Sequence, residues 1–478
     1  LTARPGTVDM RAPRAVRTYT YDNIVPGYTW EIRPGDTLKV DLLNHLPALE
    51  NPGPMVMDRP HDWTTTNLHT HGLHVSPKGN SDNVFISIPP GQSFQYRYDL
   101  PENHPAGTFW YHPHHHGAVT QQVRAGMAGV IIVRGDIDEV EEVRAAKEHI
   151  MVLQGIELGN DYQLLDPIPN PTKEQAFFPR TNFLYTVNGV LKPTITMYPG
   201  EVQRWRLLNA AEGKFMSLRL TKHDLHVLAW DGLTLPAAET AELVMLSPAN
   251  RVDVLVQAGA PGVYDLMLTP GSSQKPDIPG MSGSPGPAAT PSPSTSPSMS
   301  PMPGMPIRMG ELVTRSIARI EVSGQGPKMG LPTGLPAWDP PMLPVIKRRQ
   351  FSFTVERDPA KEFLSFGVDG LVFDPNRAPY QAKLNTAEEW TLVNALDTKL
   401  MEHAHAFHIH VNPFRVTKIN GRTLPIPLWR DTFVLPEFTG NSITFESNFV
   451  DFTGKFVEHC HVLSHEDLGM MASVEVVA

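Results

Sequence analysis

Polar and apolar residues alternate in short runs along this chain, and each run ends in proline, glycine or asparagine. DTLKVDLLN (36–44) and RVDVLVQA (251–258) alternate, while AGVIIVRG (128–135) holds a short continuous apolar run. No long segment keeps a 3.6-residue period, so the pattern predicts strands throughout. The 47 prolines agree, because proline interrupts helices and is confined in sheets to edges, ends and loops. A faint repeat links PGDTLKVDLLN (34–44), PGEVQRWRLLN (199–209) and LNTAEEWTLVN (384–394). Units of that size predict an all-β chain of three similar sandwich or barrel domains rather than a solenoid. Boundaries are expected after IIVRGDID and within SGQGPKMGLPTGLPAWDPP, giving domains 1–140, 141–335 and 336–478. The tract 271–310 is a Pro/Ser/Gly-rich segment with too few apolar side chains to offset its ordering entropy. It reads as an insertion late in the second domain.

Composition narrows the function. A chain of 478 residues exceeds one hydrophobic core, and 41% hydrophobic with 19% charged residues suits a folded protein. A net charge of −10 without a basic run argues against a nucleic-acid partner. No apolar run is long enough to span a bilayer, so no membrane span is expected. The first residues, LTARPGTVDM, carry no charged head and apolar stretch, so a signal peptide is expected to be absent from this chain. A single cysteine rules out an intramolecular disulfide framework.

The twenty histidines change the picture most. Between about 140 and 325 only His149, His223 and His226 occur, whereas four tight groups lie outside: NLHTHG, WYHPHHHG, HAFHIH and HCHVLSH. On a strand, side chains two apart share a face. The pairs His69/His71, His112/His114, His408/His410 and His459/His461 therefore each aim two imidazoles at one point. Eight imidazoles from four strands suit a small metal cluster. One such motif alone is most often surface or core chemistry; four, with the middle third nearly empty, are not a product of composition.

Cys460, between His459 and His461, must face the opposite way and belongs to a second site. His465 and Met470 follow at five-residue steps, and His405 opens HAFHIH. Two imidazoles, one thiolate and a weak thioether match blue-copper electron-transfer geometry, and the thioether favours copper over zinc.

The segments HTHG, WYHPHHHG, HAFHIH and HCHVLSHEDLGM resemble the copper signatures of three-domain multicopper oxidases, which include laccases, bilirubin oxidases, ascorbate oxidase and bacterial cuprous oxidases. The resemblance spans nearly the whole chain. It implies three cupredoxin-like Greek-key domains and four copper ions, with the cluster held between the first and third domains. By the same resemblance His405, Cys460, His465 and Met470 hold the type 1 copper, and His69 and His408 the type 2 copper. His71, His112, His114, His410, His459 and His461 hold the type 3 pair. His115 and His116 are extra to the family pattern, Ala406 replaces its usual proline, and Met471 lacks the distance from the cysteine that Met470 has. Asp82 and Glu466 resemble the carboxylates that deliver protons. Asp431, in LWRDTF, resembles a stretch near the type 1 site and is expected to contact substrate.

The implied reaction is one-electron oxidation of a reductant at the type 1 copper, coupled to four-electron reduction of O2 to water. Phenols or aromatic amines, as for laccases, and Cu(I), as for cuprous oxidases, both stand open as reductants. Met281, Met299, Met302, Met305 and Met309 in the insertion are soft ligands suited to Cu(I). The competing class is a copper-sequestering or structural protein of the same fold without turnover. A copper nitrite reductase lacks the eight-histidine set, and a one-domain electron carrier is far shorter. Export to the periplasm or medium is expected, and a monomer.

Overall fold

The computed structural model describes residues 1–50, 55–166, 182–270, 314–357, 364–396 and 404–478. The insertion 271–310, with Met281, Met299, Met302, Met305 and Met309, lies outside the described residues.

The described chain is built from strands in six sheets. Strands up to Val133 form two four-stranded sheets. Those from Lys147 to Val322 form a six- and a five-stranded sheet, and those from Val345 to Val477 another six and five. The helices are single turns or little more: Val119–Arg124, Glu141–Ala145 and Leu463–Asp467. Among the described residues, no helix is long and apolar enough to cross a membrane.

The sequence repeat is a repeat of topology. Thr37–Asn44 pairs parallel with Thr2–Val8 and antiparallel with Ser93–Asp99. Val202–Asn209 does the same with Lys147–Leu158 and Arg251–Gln257, and Thr386–Leu396 with Val345–Arg357 and Ser442–Phe449. Each repeated strand is entered through a left-handed turn residue: Gly35 (φ 83°), Gly200 (φ 81°) and, in the third copy, Asn385 (φ 60°). Glycine and asparagine adopt that conformation at low cost.

The continuous apolar runs are strands covered on both faces. In Gly129–Val133, Ile131 and Val133 point into the core of the first unit. Val130 and Ile132 point away, to join Val152, Leu208 and Ala249 of the middle unit. Burying each such side chain contributes about 1.5–3 kcal/mol, so the outward residues weld the two units together. Alternation sorts Val202–Asn209 likewise: Trp205 and Leu207 fill the middle core, while Arg206 turns to the first unit and donates to Asp253 (2.7 Å) and Thr108 (2.9 Å).

The first and third units are tied directly. His74 bridges the Val411 carbonyl (2.8 Å) and Asp451 (2.7 Å). The Asp467 carboxylate accepts the backbone N–H groups of Gly117 (2.7 Å) and Thr120 (2.8 Å). These ties hold the first and third units against each other, and histidines from both meet between them.

Candidate metal centres

Two strands from the first unit and two from the third build the larger centre. His69–His71 pairs with Gly107–His112, setting His69 opposite His112. His405–Ile409 pairs with Gly454–Cys460, setting His408 opposite His459. His69 and His71 lie within one strand, and His114, His410 and His461 follow just beyond the other three and complete their pairs. All eight imidazoles are at most 1% exposed.

Their nitrogens converge in groups: His69, His71 and His408; His71, His112 and His461; His114, His410 and His459. In the last group the three Nε2 atoms form a triangle with sides of 3.1, 3.2 and 3.3 Å. Metal–imidazole distances are about 2.0–2.1 Å, so one ion fits among three nitrogens so spaced. The opposite nitrogens are anchored. His69 Nδ1 lies 2.9 Å from Asp82, and the Nδ1 of His112 and His408 face the carbonyls of Pro113 (2.8 Å) and Asp431 (2.7 Å). His71 Nε2 lies 3.1 Å from Thr432 Oγ1. Anchoring the far nitrogen fixes the tautomer and aims the other lone pair inward. The inward atoms, His69 Nε2, His71 Nδ1, His112 Nε2 and His408 Nε2, are buried with no protein hydrogen-bond partner. Buried polar atoms are rarely orphaned, and cations bound in these groups would satisfy them.

Electrostatics agree. Burial, reinforced by neighbouring imidazoles, pushes His69, His71, His112, His408, His410 and His461 well below the usual histidine value; burial takes His114 to about 4 and His459 to about 3. The rings are neutral at neutral pH, as metal ligands must be.

Two buried carboxyls flank the group. Asp82 reaches His69 and stands 3.8 Å from His410 Nδ1; Glu466 lies 2.9 Å from His459 Nδ1 and 3.5 Å from His114 Nδ1. Burial raises both to about 7. Each is thus poised to hold or release a proton near neutrality beside two imidazoles.

The smaller centre belongs to the third unit alone. Cys460 Sγ lies 3.4 Å from His405 Nδ1 and 3.7 Å from His465 Nδ1, and those nitrogens are 3.2 Å apart. Cys460 and His405 are fully buried and His465 is 8% exposed, stacked on Phe366 at 4.7 Å. Burial pushes the thiol up to about 12, so a thiolate here requires a bound cation. Met470 is buried beside them: its carbonyl accepts the Cys460 N–H (3.1 Å), and its N–H donates to the His465 carbonyl (2.9 Å).

His115 and His116 stay outside both groups; His116 Nε2 meets the Met57 carbonyl at 3.0 Å and its ring packs on His61 and Phe373. Asp431 requires a correction. Expected beside the type 1 site as a substrate contact, it is 3% exposed and lies against His71 and His408, bound by Arg251. Burial raises its carboxyl, and the guanidinium opposes that rise. Arg251 and Asp467 were not singled out from sequence. An arginine opening the strand RVDVLVQA, and a second acid after Glu466, were the available signals.

Three family models, each described as multicopper oxidase, match residues 61–137, 158–281 and 337–478. A multicopper oxidase of Staphylococcus haemolyticus is 23% identical over 100% of this chain and 88% of its own length. A laccase of Bacillus stratosphericus is 24% identical over 96% of this chain and 91% of its own. The solved multicopper oxidase of Campylobacter jejuni, described as a metallo-oxidase, superposes with a TM-score of 0.74 at 24% identity, covering 99% of this chain and 90% of its own. The fold is therefore three cupredoxin-like units, and the chain belongs to the multicopper oxidases, copper-dependent oxidoreductases.

Proposed function

We propose that the chain is a laccase-like multicopper oxidase with units at 1–140, 141–335 and 336–478. One reductant-oxidising copper would be held by His405, Cys460, His465 and Met470, and three clustered coppers by the eight imidazoles. His69 and His408 would hold the type 2 copper, with the other six shared by the type 3 pair. When bound, copper supplies one-electron chemistry at the first site and four-electron reduction of O2 to two waters at the second.

The observation that carries this reading is the sequence His459–Cys460–His461 on one strand end. The thiol faces the single site, and each neighbouring imidazole faces the cluster, one peptide away. The chain thus provides a short covalent route between the sites. Water formation consumes four protons, and Asp82 and Glu466 stand where protons are needed. Each carboxyl touches two of the cluster imidazoles and changes charge near pH 7. The 8% exposure of His465 makes it the side of the single site nearest to a reductant.

Phenols or aromatic amines and Cu(I) are the two reductant classes, and the methionines of 271–310 favour Cu(I) by their softness. Copper is kept scarce in the cytoplasm, which favours export. A copper-sequestering protein without turnover is the alternative. The test is O2 consumption by the copper-loaded protein with Cu(I) and with a simple phenol, repeated without 271–310. A Cu(I) advantage in kcat/KM that the deletion removes makes it a cuprous oxidase. Equal or better phenol oxidation makes it a laccase. No uptake with either leaves sequestration as the reading.

A further inference from the structure

The middle unit gives no imidazole to either centre, yet one of its side chains reaches the wall of the histidine chamber. Arg251 opens the strand Arg251–Gln257 and is fully buried. Its Nε donates to the Thr108 carbonyl of the first unit (3.0 Å). Its two terminal nitrogens grip the Asp431 carboxylate of the third unit at 2.8 and 2.6 Å. One side chain of the middle unit therefore joins all three. Asp231 backs the pair: it accepts the Arg251 backbone N–H (3.0 Å) and an Asn250 side-chain N–H (3.0 Å), and Asn250 also donates to the Thr432 carbonyl (2.9 Å).

What Asp431 does with this support is specific. Its carboxylate stands 3.3 Å from His71 Nε2 and accepts the Thr432 hydroxyl (2.9 Å), which itself lies 3.1 Å from His71 Nε2. Its backbone carbonyl faces His408 Nδ1 at 2.7 Å. One residue thus holds the far nitrogens of two rings, one from the first unit and one from the third, and those rings stack at 3.8 Å. Gly72, closing HTHG at φ +85°, leaves the room this requires: a Cβ there would run into the Asp431 carboxylate and the Arg251 guanidinium. A buried ion pair is a poor source of net stability, because desolvation offsets much of the attraction. Its bidentate, directional geometry is better suited to holding an orientation.

We infer that Arg251 is a positioning residue for the cluster, setting His71 and His408 through Asp431 and so making the middle unit part of the copper site. This inference rests on the multicopper reading of the eight imidazoles. It assigns the HTHG glycine a purpose and predicts damage confined to one of the two centres.

The test compares holoenzymes of wild type and Arg251→Met by copper content, the EPR signals of type 1 and type 2 copper, the blue absorption and the melting temperature. The expected result is an unchanged blue band per chain with an altered or depleted type 2 signal, and a cluster copper affinity lower by roughly 10–100-fold. Arg251→Lys keeps the charge without the fork and should give the same selective change to a smaller extent; it decides the matter where Arg251→Met fails to fold. Wild-type signals at both centres in the variant overturn the inference. So does a parallel loss of both signals with the melting temperature, which would make Arg251 a strut of the fold. A wild-type holoenzyme without type 1 and cluster signals would instead sink the multicopper assignment itself, whatever the variants do.

Discussion

The two centres meet at one strand end but are assembled differently. The Cys460 centre is made from a single unit: His405, Cys460, His465 and Met470 lie within 66 positions of sequence, on adjacent strands and the turn that follows them. The imidazole cluster is made at a seam, with four rings from each side and the two sides brought together by contacts such as Asp467 to Gly117 and His74 to Asp451. A centre within one core should survive as long as that core does. A centre at a seam should fail as soon as the seam loosens, and so should the function that needs both.

Breaking the link between them should have the largest effect. Cys460→Ser removes the thiolate of the single site and leaves the eight imidazoles in place. Reductant-driven O2 consumption and blue colour should vanish while the cluster coppers remain, as metal analysis will show. Retained turnover would mean that electrons reach the cluster without the Cys460 route.

Changing the proton supply should cost less. Glu466→Gln keeps the shape beside His459 and His114 and removes the titrating group. A fall in kcat of about 10²–10⁴-fold is expected, the usual range for a lost general acid, with copper content unchanged. In the wild type, kcat should decline as pH rises through about 7, where Asp82 and Glu466 lose their protons. A variant with wild-type kcat and pH profile would remove Glu466 from proton delivery.

Loosening the seam should cost less again. Asp467→Asn weakens two hydrogen bonds between a buried carboxylate and backbone N–H groups, a change of about 1–3 kcal/mol. The cluster signals should disappear at lower urea than the blue band. Simultaneous loss would show that both centres share one cooperative unit.

A last prediction concerns the metal-free protein. The eight imidazoles bind protons more weakly folded than unfolded, so their contribution to stability is present above about pH 6.5 and is lost as pH falls. Asp82, Glu466 and Asp467 are raised to about 7, so their contribution is present below about pH 4 and lost as pH rises through 7. Burial also raises Asp431 and Glu458 and lowers His104, His115 and His116; the lowered histidines still outnumber the raised carboxyls, and the melting temperature should fall from pH 7 to pH 4. A rise over that range would contradict the burial of the neutral rings.

Sequence made the single-unit centre and the ring pairs legible for one reason: a strand has period two, so His-x-His in the text is two rings on one face. Period two alone cannot set His116 apart from His112 and His114; the family pattern did, and neither His115 nor His116 belongs to a metal-capable group among the described residues. The similarity of three segments also revealed three repeated strands that share one topological position, although the third enters through Asn385 instead of glycine. What the sequence withheld lies across seams. Asp431 was read as a substrate contact near the type 1 site because its motif carries no sign of direction, and its partner Arg251 is 180 positions away. Asp467 was passed over because the backbone N–H groups that donate to it, from Gly117 and Thr120, belong to another unit. Local periodicity tells which residues share a face, but not which distant chain covers that face.

The most direct test of the account is the stoichiometry of O2 uptake by the copper-loaded enzyme supplied with a counted amount of one-electron reductant. Two centres working as one predict one O2 consumed for every four electrons, with water as product and no peroxide released. One O2 for two electrons with peroxide in solution, or no uptake at all, would mean that the thiol site and the imidazole cluster are neighbours without being partners.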